Sequence, residues 1–346
     1  MQQAKNIEFT VILTGHGSPN KEGSEGKIAY NQYVTEKNAL IRSSAEQSDG
    51  NFLQKQINDN VNFLKSNYYK GGKRIIKLSG DCIRHAIFNA INNPATKEDI
   101  TALIEEDASV TGILRGYLNP SKTDITTKRK SPLTVTDAEL DNDAVPQFEV
   151  HSASGPRTDT SFFVKESIGE TRFKFTVRLD LSELSVLSCC DTMDRPCVRP
   201  DLKPLFEQKL KDNGLSFKQV ALRKANSVQA EVCYVFDDET VNKMVNYLIK
   251  QIQQIDIYNA TEYVQFESMT AKVTTGDGTR KTVAIENGEL VEKFEVKRQY
   301  VEASLDEALA AEKKVRECLD QTKKKDKGSS KSKSKAKSEE SSSESK

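Results

Sequence analysis

RFKFTVRLDL, residues 172–181, alternates without interruption. Phe173, Phe175, Val177 and Leu179 fall on one side, and Lys174, Thr176, Arg178 and Asp180 on the other. Successive side chains of an extended chain point to opposite faces, so a period of two marks a strand with one buried face and one wet face. NIEFTVILTG (6–15) reads as a second strand, running into a glycine turn. Such a strand needs paired neighbours and a second layer over its apolar face.

Further elements lie to either side. VQAEVCYVF (228–236), YVQFESMTAKVTT (263–275) and TRKTVAIENG (279–288) read as strands, the last two around a Gly-Asp-Gly turn. DDETVNKMVNYLIKQIQQI (237–255) predicts a helix with acidic residues in its first turn and a stripe of Val241, Met244, Val245, Leu248 and Ile252. DLKPLFEQKLKDNG predicts a short helix stopped by glycine, ATKEDITALIEEDAS a capped one, and SLDEALAAEKKVRECL a closing amphipathic one. VTGILRGYLNP is an apolar run halted at Asn119-Pro120. Strands and helices interleave with no internal repeat. This predicts an α+β fold, a ferredoxin-like palm of sheet and helices. Two polar stretches, about 15–50 and 119–160, read as excursions from a single body spanning 1–320.

The 346 residues suffice for a real core. Lysine plus arginine and aspartate plus glutamate both number 51, so the formal charge is +0. That balance hides an asymmetry. From Gln321 the text is QTKKKDKGSSKSKSKAKSEESSSESK, with nine lysines against four acids, or +5. The remainder therefore carries −5, which argues against a general-purpose nucleic-acid binder and leaves room only for a local basic groove. The tail has no side chain able to bury much surface and reads as disordered. No apolar run reaches the roughly 18 residues that a membrane helix needs, and the opening MQQAKNIEF lacks a signal-peptide core. A cytoplasmic protein without membrane contact is expected. The cysteines, at 82, 189, 190, 197, 233 and 318, form no zinc spacing and read as thiols of a reducing compartment.

Catalytic motifs fail on inspection. TGHGSPNKEGSEGK lacks the glycine spacing of a phosphate loop, and Ile28 stands where Ser or Thr is required. Only His16, His85 and His151 occur, none within four residues of another, so a helical zinc pair is excluded. There is no GxSxG elbow. Asp191 and Asp194 in CCDTMDRP could chelate a metal or simply be surface acids. No catalytic residue and no cofactor is predicted.

Three segments carry unusual chemistry. LSGDCIRHAIFNAI (78–91) predicts a helix starting near Asp81, with Ile83, Ala86, Ile87, Ala90 and Ile91 on one side. Arg84 and His85 then fall in its first turn, where a cation is unfavourable by roughly 0.3–1 kcal/mol unless an anion joins it. TTKRKSPLTV places Lys128, Arg129 and Lys130 before a Ser-Pro turn. SASGPRTDTSFFVK combines Arg157, Thr158, Thr160 and Ser161 with Phe162, Phe163 and Lys165. Cations, hydroxyls and aromatic planes are what a single strand of nucleic acid requires. The same residues can also be read as a solvated loop and core phenylalanines. LRGYL adds Arg115 and Tyr117, with the same two readings.

GDCIRHAIF, VTGILRGYLNP, KRKSPLTVTDAE and RTDTSFFVKESIGETRF, in that order and after the strand ending in TGHG, resemble the Cas-seven (RAMP) family. This family forms the crRNA-binding backbone of type I CRISPR surveillance (Cascade) complexes, and the similarity is to its compact type I-F variant. It covers roughly residues 8–180. It implies a hand-shaped protein with an RRM-like palm and long finger and thumb insertions. Several copies would polymerise in a helical array along the crRNA spacer, beside other Cascade subunits, and present it to target DNA in antiviral defence. The subunit would not cut. Carried onto matching positions, Arg84 and His85 would face RNA phosphates and Arg115 would share their groove. Lys128, Arg129 and Ser131 would touch the RNA backbone, and Arg157, Thr160, Ser161, Phe162 and Phe163 would lie in the thumb. Gly15 and His16 would let the RNA approach closely. Two other classes remain open: a metal-dependent ribonuclease of the same superfamily, using Asp124 or Asp159, and a mimic that binds Cascade subunits.

Overall fold

The structure is a computed structural model. It describes residues 2–19, 69–70, 73–74, 77–88, 100–120, 126–142, 144, 147–155, 158–167, 169–189, 196–224, 230–259, 261–306, 308–310 and 313; for 69–70, 73–74, 147–155, 158–167 and 224 it describes backbone alone. The part of the predicted 15–50 excursion after Pro19 and the tail from Gln321 lie outside these residues. The chain divides into two compact units, one formed by Met1–Pro94, Leu133–Asp180 and Asn242–Glu295, the other by Ala95–Pro132, Leu181–Val241 and Val296–Lys346.

The first unit is built on the two alternating strands read from the sequence. Gln2–His16 pairs antiparallel with Glu170–Asp180 on one side and with Tyr263–Thr275 on the other. The sheet runs in the order Asp256–Tyr258, Tyr263–Thr275, Gln2–His16, Glu170–Asp180, Ala138–Leu140, Lys77–Leu78, with Arg280–Val283 and Leu133–Val135 attached at its sides. Register follows from burial. Ile7 lies opposite Leu179, Phe9 opposite Val177, Val11 opposite Phe175 and Leu13 opposite Phe173, and all eight are buried. A slip of one residue would put every one of them in water. Ala271 and Val273 extend this apolar layer across the third strand. On the other face Lys174, Arg178 and Lys272 are exposed.

The first strand runs one residue further than predicted, through Gly15 to His16. Gly15 is needed there because a Cβ would come within 2.0 Å of the Tyr263 carbonyl oxygen. The close approach shown here is that of the neighbouring strand. Of the predicted stripe in the long helix Asp238–Gln253, the residues in this unit, Met244, Val245, Leu248 and Ile252, are buried as expected, together with Ile249.

Part of the 119–160 excursion is built of short strands. Residues 126–142 are ordered into the short strands Thr127–Arg129, Leu133–Val135 and Ala138–Leu140. Three-residue strands are too short to show a period, so composition alone made them look like loop. Beyond them Gln147–Gly155 and Thr158–Ser167 form a two-stranded antiparallel hairpin, paired among the described residues only with itself. Phe162 pairs with Ser152 and Phe163 with His151.

The second unit has a four-stranded antiparallel sheet ordered Val186–Ser188, Glu231–Phe236, Phe217–Lys224, Tyr300–Ala303, and a separate ribbon of Tyr117–Asn119 with Thr127–Arg129. From Val232 to Phe236 every residue is buried. Cys233 and Val235 pack with Val186 and Leu222, while the Tyr234 ring meets Phe206 at 6.1 Å and Phe217 edge-on at 5.0 Å. Helices Ile100–Asp107, Val110–Arg115 and Lys203–Asp212 belong to this unit. Among the described residues, Cys82, Cys189, Cys197 and Cys233 form no disulfide. Among the described residues no helix is long and apolar enough to cross a membrane.

Candidate nucleic-acid interface

The helix carrying Arg84 and His85 is shorter than its apolar pattern suggested. It spans Gly80–Ile87, and Phe88 closes it by donating its N–H to the Arg84 and His85 carbonyls. Arg84 and His85 therefore sit in the last turn, not the first. There the partial negative charge of the helix end favours them, and no external anion is needed to justify them. The positive end is already occupied by the protein itself. Ser79 Oγ accepts from the Cys82 N–H, and the Asp137 carboxylate accepts from the Gly80 N–H at 2.8 Å and from Lys77 Nζ. Burial works to raise the Asp137 pKa, but these donors outweigh it and hold the carboxyl below its ordinary range. Ile83 and Ile87 bury the apolar side, while His85 stays exposed and Arg84 half-buried.

The lysine-arginine run divides by strand alternation. Lys128 and Lys130 point to solvent and Arg129 points inward. Arg129 is only 8 % exposed, and its guanidinium donates to the carbonyls of Glu183 at 2.6 Å and Val186 at 2.7 Å, with Nε directed at Ile113 from 3.5 Å. Burial depresses its pKa, and nearby Tyr117 and Glu183 counter that. Each guanidinium nitrogen of this residue, expected on the RNA backbone, has a carbonyl partner inside the protein. Ser131 Oγ donates to the Leu114 carbonyl at 2.7 Å. Lys128 shares the outer side of its ribbon with Leu118, which is 53 % exposed.

Arg115 closes its helix with an ion pair to Glu106 at 2.6 Å. Beside it Asp107, 2 % exposed, takes one hydrogen bond from Asn119 Nδ2 at 2.7 Å. Burial lifts its pKa to about 7, Asn119 pulling against that and Glu106 reinforcing it. Tyr117, read as either core or groove, is held by its hydroxyl on the Cys197 carbonyl at 2.8 Å.

His16 is exposed at the end of the first strand, in register with Tyr263 and Glu170. Thr160, Ser161, Phe162 and Phe163 lie along one strand of the hairpin, whose side chains are not described; Arg157 lies outside the described residues. So do Asp124, Asp191 and Asp194, and Asp159 falls within the hairpin backbone. Among the described residues no cluster of three His, Cys, Asp or Glu could hold a metal. The sequence reading missed Tyr258 and Tyr263, 73 % and 48 % exposed and directly opposite each other. Tyr263 occupies an outward position of its strand's alternation, which was a usable signal.

Fold and site define an α+β antiparallel-sheet protein with one wet sheet face and a separate β-hairpin. The family described as type I-Fv CRISPR-associated protein Cas7fv-like matches residues 3–302, and the chain belongs to it. A chain of a solved structure titled CRISPR RNA-guided surveillance complex is similar over 77 % of this chain and 68 % of its own length, at 7 % identity and a TM-score of 0.35. No curated protein matches.

Proposed function

We propose that this protein is a crRNA-binding backbone subunit of a type I surveillance complex, one that holds its guide without cutting it. Membership of the Cas7fv-like family over residues 3–302 is the observation that carries this reading. In this reading copies line up along the spacer with the other Cascade subunits, the guide reads target DNA by base pairing, and the protein grips the backbone. The cell compartment is the cytoplasm.

The strand order supports an RRM-like palm. Gln2–His16 lies between Glu170–Asp180 and Tyr263–Thr275, and the short strands that follow helix Gly80–Ile87 lie beyond Glu170–Asp180. A ferredoxin-like sheet likewise sets its first strand between the third and the fourth, and this likeness of order supports the reading. In this reading the hairpin Gln147–Gly155 with Thr158–Ser167 is the thumb-like segment. Arg84, His85, Arg115 and Lys128 are the cations assigned to phosphates, and Thr160, Ser161, Phe162 and Phe163 to the thumb.

The test is co-expression with a CRISPR array, followed by sizing of the RNA that stays with the purified protein. RNA of one discrete length, in particles that shrink on RNase treatment, is expected. Protein free of nucleic acid at low salt contradicts the proposal.

A further inference from the structure

We infer that the open face of the large sheet carries a base-stacking platform formed by Tyr258, Tyr263 and His16. This rests on the RNA-binding reading and adds a subsite to it. Tyr258 pairs with Tyr263, and Tyr263 pairs with His16. The three residues therefore form one row across three adjacent strands, and directly opposed residues project from the same face of a sheet. Their neighbours Ile257 and Val264 point the other way and are buried. Cross-strand partners in such a row have Cβ atoms roughly 4.5–5.5 Å apart, close enough for neighbouring rings to offer a shared surface to stacked bases.

Two large aromatic side chains at 73 % and 48 % exposure contribute little to the core. Tyrosine keeps a polar tip in water while presenting a flat apolar plane, which suits it to contact surfaces. Each base has a π-face, so stacking tolerates any sequence, as a protein that must hold every guide requires. The same sheet face supplies the other half of the chemistry. Lys174 and Arg178 lie on strand Glu170–Asp180 and Lys272 on the strand of Tyr263, all exposed. Glu8 sits opposite both Arg178 and Lys272, Glu139 opposite Lys174 and Glu170 opposite His16, and these carboxylates moderate the field of the cations. A single strand running along this face would reach aromatic planes at one end and cations along its course.

The experiment uses the full chain and a single-stranded oligouridine carrying 5-bromouridine, irradiated and mapped by mass spectrometry, with affinities measured in parallel. Crosslinks at Tyr258 or Tyr263 are expected. The double variant Tyr258→Ala/Tyr263→Ala should bind at least about five-fold more weakly with an unchanged salt slope, because stacking and not phosphate contact is removed. Tyr258→Phe/Tyr263→Phe should bind as the parent does. Wild-type-like affinity of the alanine variant overturns the platform while leaving the RNA-binding reading intact, and so does a loss confined to self-association, which would make the face a protein interface. Absence of RNA binding by the parent chain overturns both.

Discussion

The two sheets use their residues in different ways. In the large sheet each strand gives one face to the core and one to water, so Phe9 and Phe175 are buried while Lys174 and Arg178 are exposed. In the small sheet Val232 to Phe236 are buried on both faces. Polar groups near the small sheet are then drawn into structural work: Arg129 on the Glu183 and Val186 carbonyls, Tyr300 on Glu183, Tyr234 on Glu207. A cation in a basic run is thus no guide to function by itself. Burial decides whether its donors are left for a ligand.

The comparison is broken most severely at the large sheet's core. Phe9→Ala should cost about 3–5 kcal/mol in denaturant unfolding, since it opens a cavity in a layer paired on both sides. A cost below about 1 kcal/mol would mean that this layer is not the core.

Arg129→Met tests the second unit. It leaves the carbonyls of Val186 and Glu183 without their donors, and about 2–4 kcal/mol should be lost. Lys128→Ala, one residue away and exposed, should stay within about 0.5 kcal/mol. Equal effects from the two would erase the distinction between inward and outward cations.

Asp107 sharpens it through pH. Its folded pKa of about 7 lies above the ordinary 3.8, so between those values the folded state holds a proton that the unfolded state has released. The stability contributed by the neutral acid is complete below about pH 4 and is lost as pH rises to about 7, by roughly 1–2 kcal/mol per unit. Asp107→Asn should flatten that slope, as read by unfolding from pH 5 to 8. An unchanged slope would place its origin elsewhere.

The smallest loss expected from removing a described contact belongs to the helix start. Asp137→Ala removes the acceptor at the Gly80 N–H and should cost about 1 kcal/mol, with helix Gly80–Ile87 gaining faster amide exchange.

Legibility followed the same division. Strands with one wet face were plain in the sequence, because 173, 175, 177 and 179 alternate with charged and hydroxylic neighbours. The short strands of 126–142 were not, since three residues carry no period. The length of the 80–87 helix was hidden by an apolar pattern that continued past its end, and this reversed the electrostatic meaning of Arg84 and His85. Arg129 could not be distinguished from Lys128 without knowing that its strand faces inward. Asp137, a helix-start acceptor 57 residues from Gly80, left no local signal.

The most direct measurement is the salt dependence of single-stranded RNA affinity for the full chain, its Arg84→Ala variant and its Arg129→Met variant. The parent should show a steep line of log K against log salt. Arg84→Ala should reduce the slope by about 0.7, the share of one phosphate, and folded Arg129→Met should leave it unchanged. A flat line for the parent would contradict guide binding, and a reduced slope for Arg129→Met would contradict the assignment of that arginine to the fold.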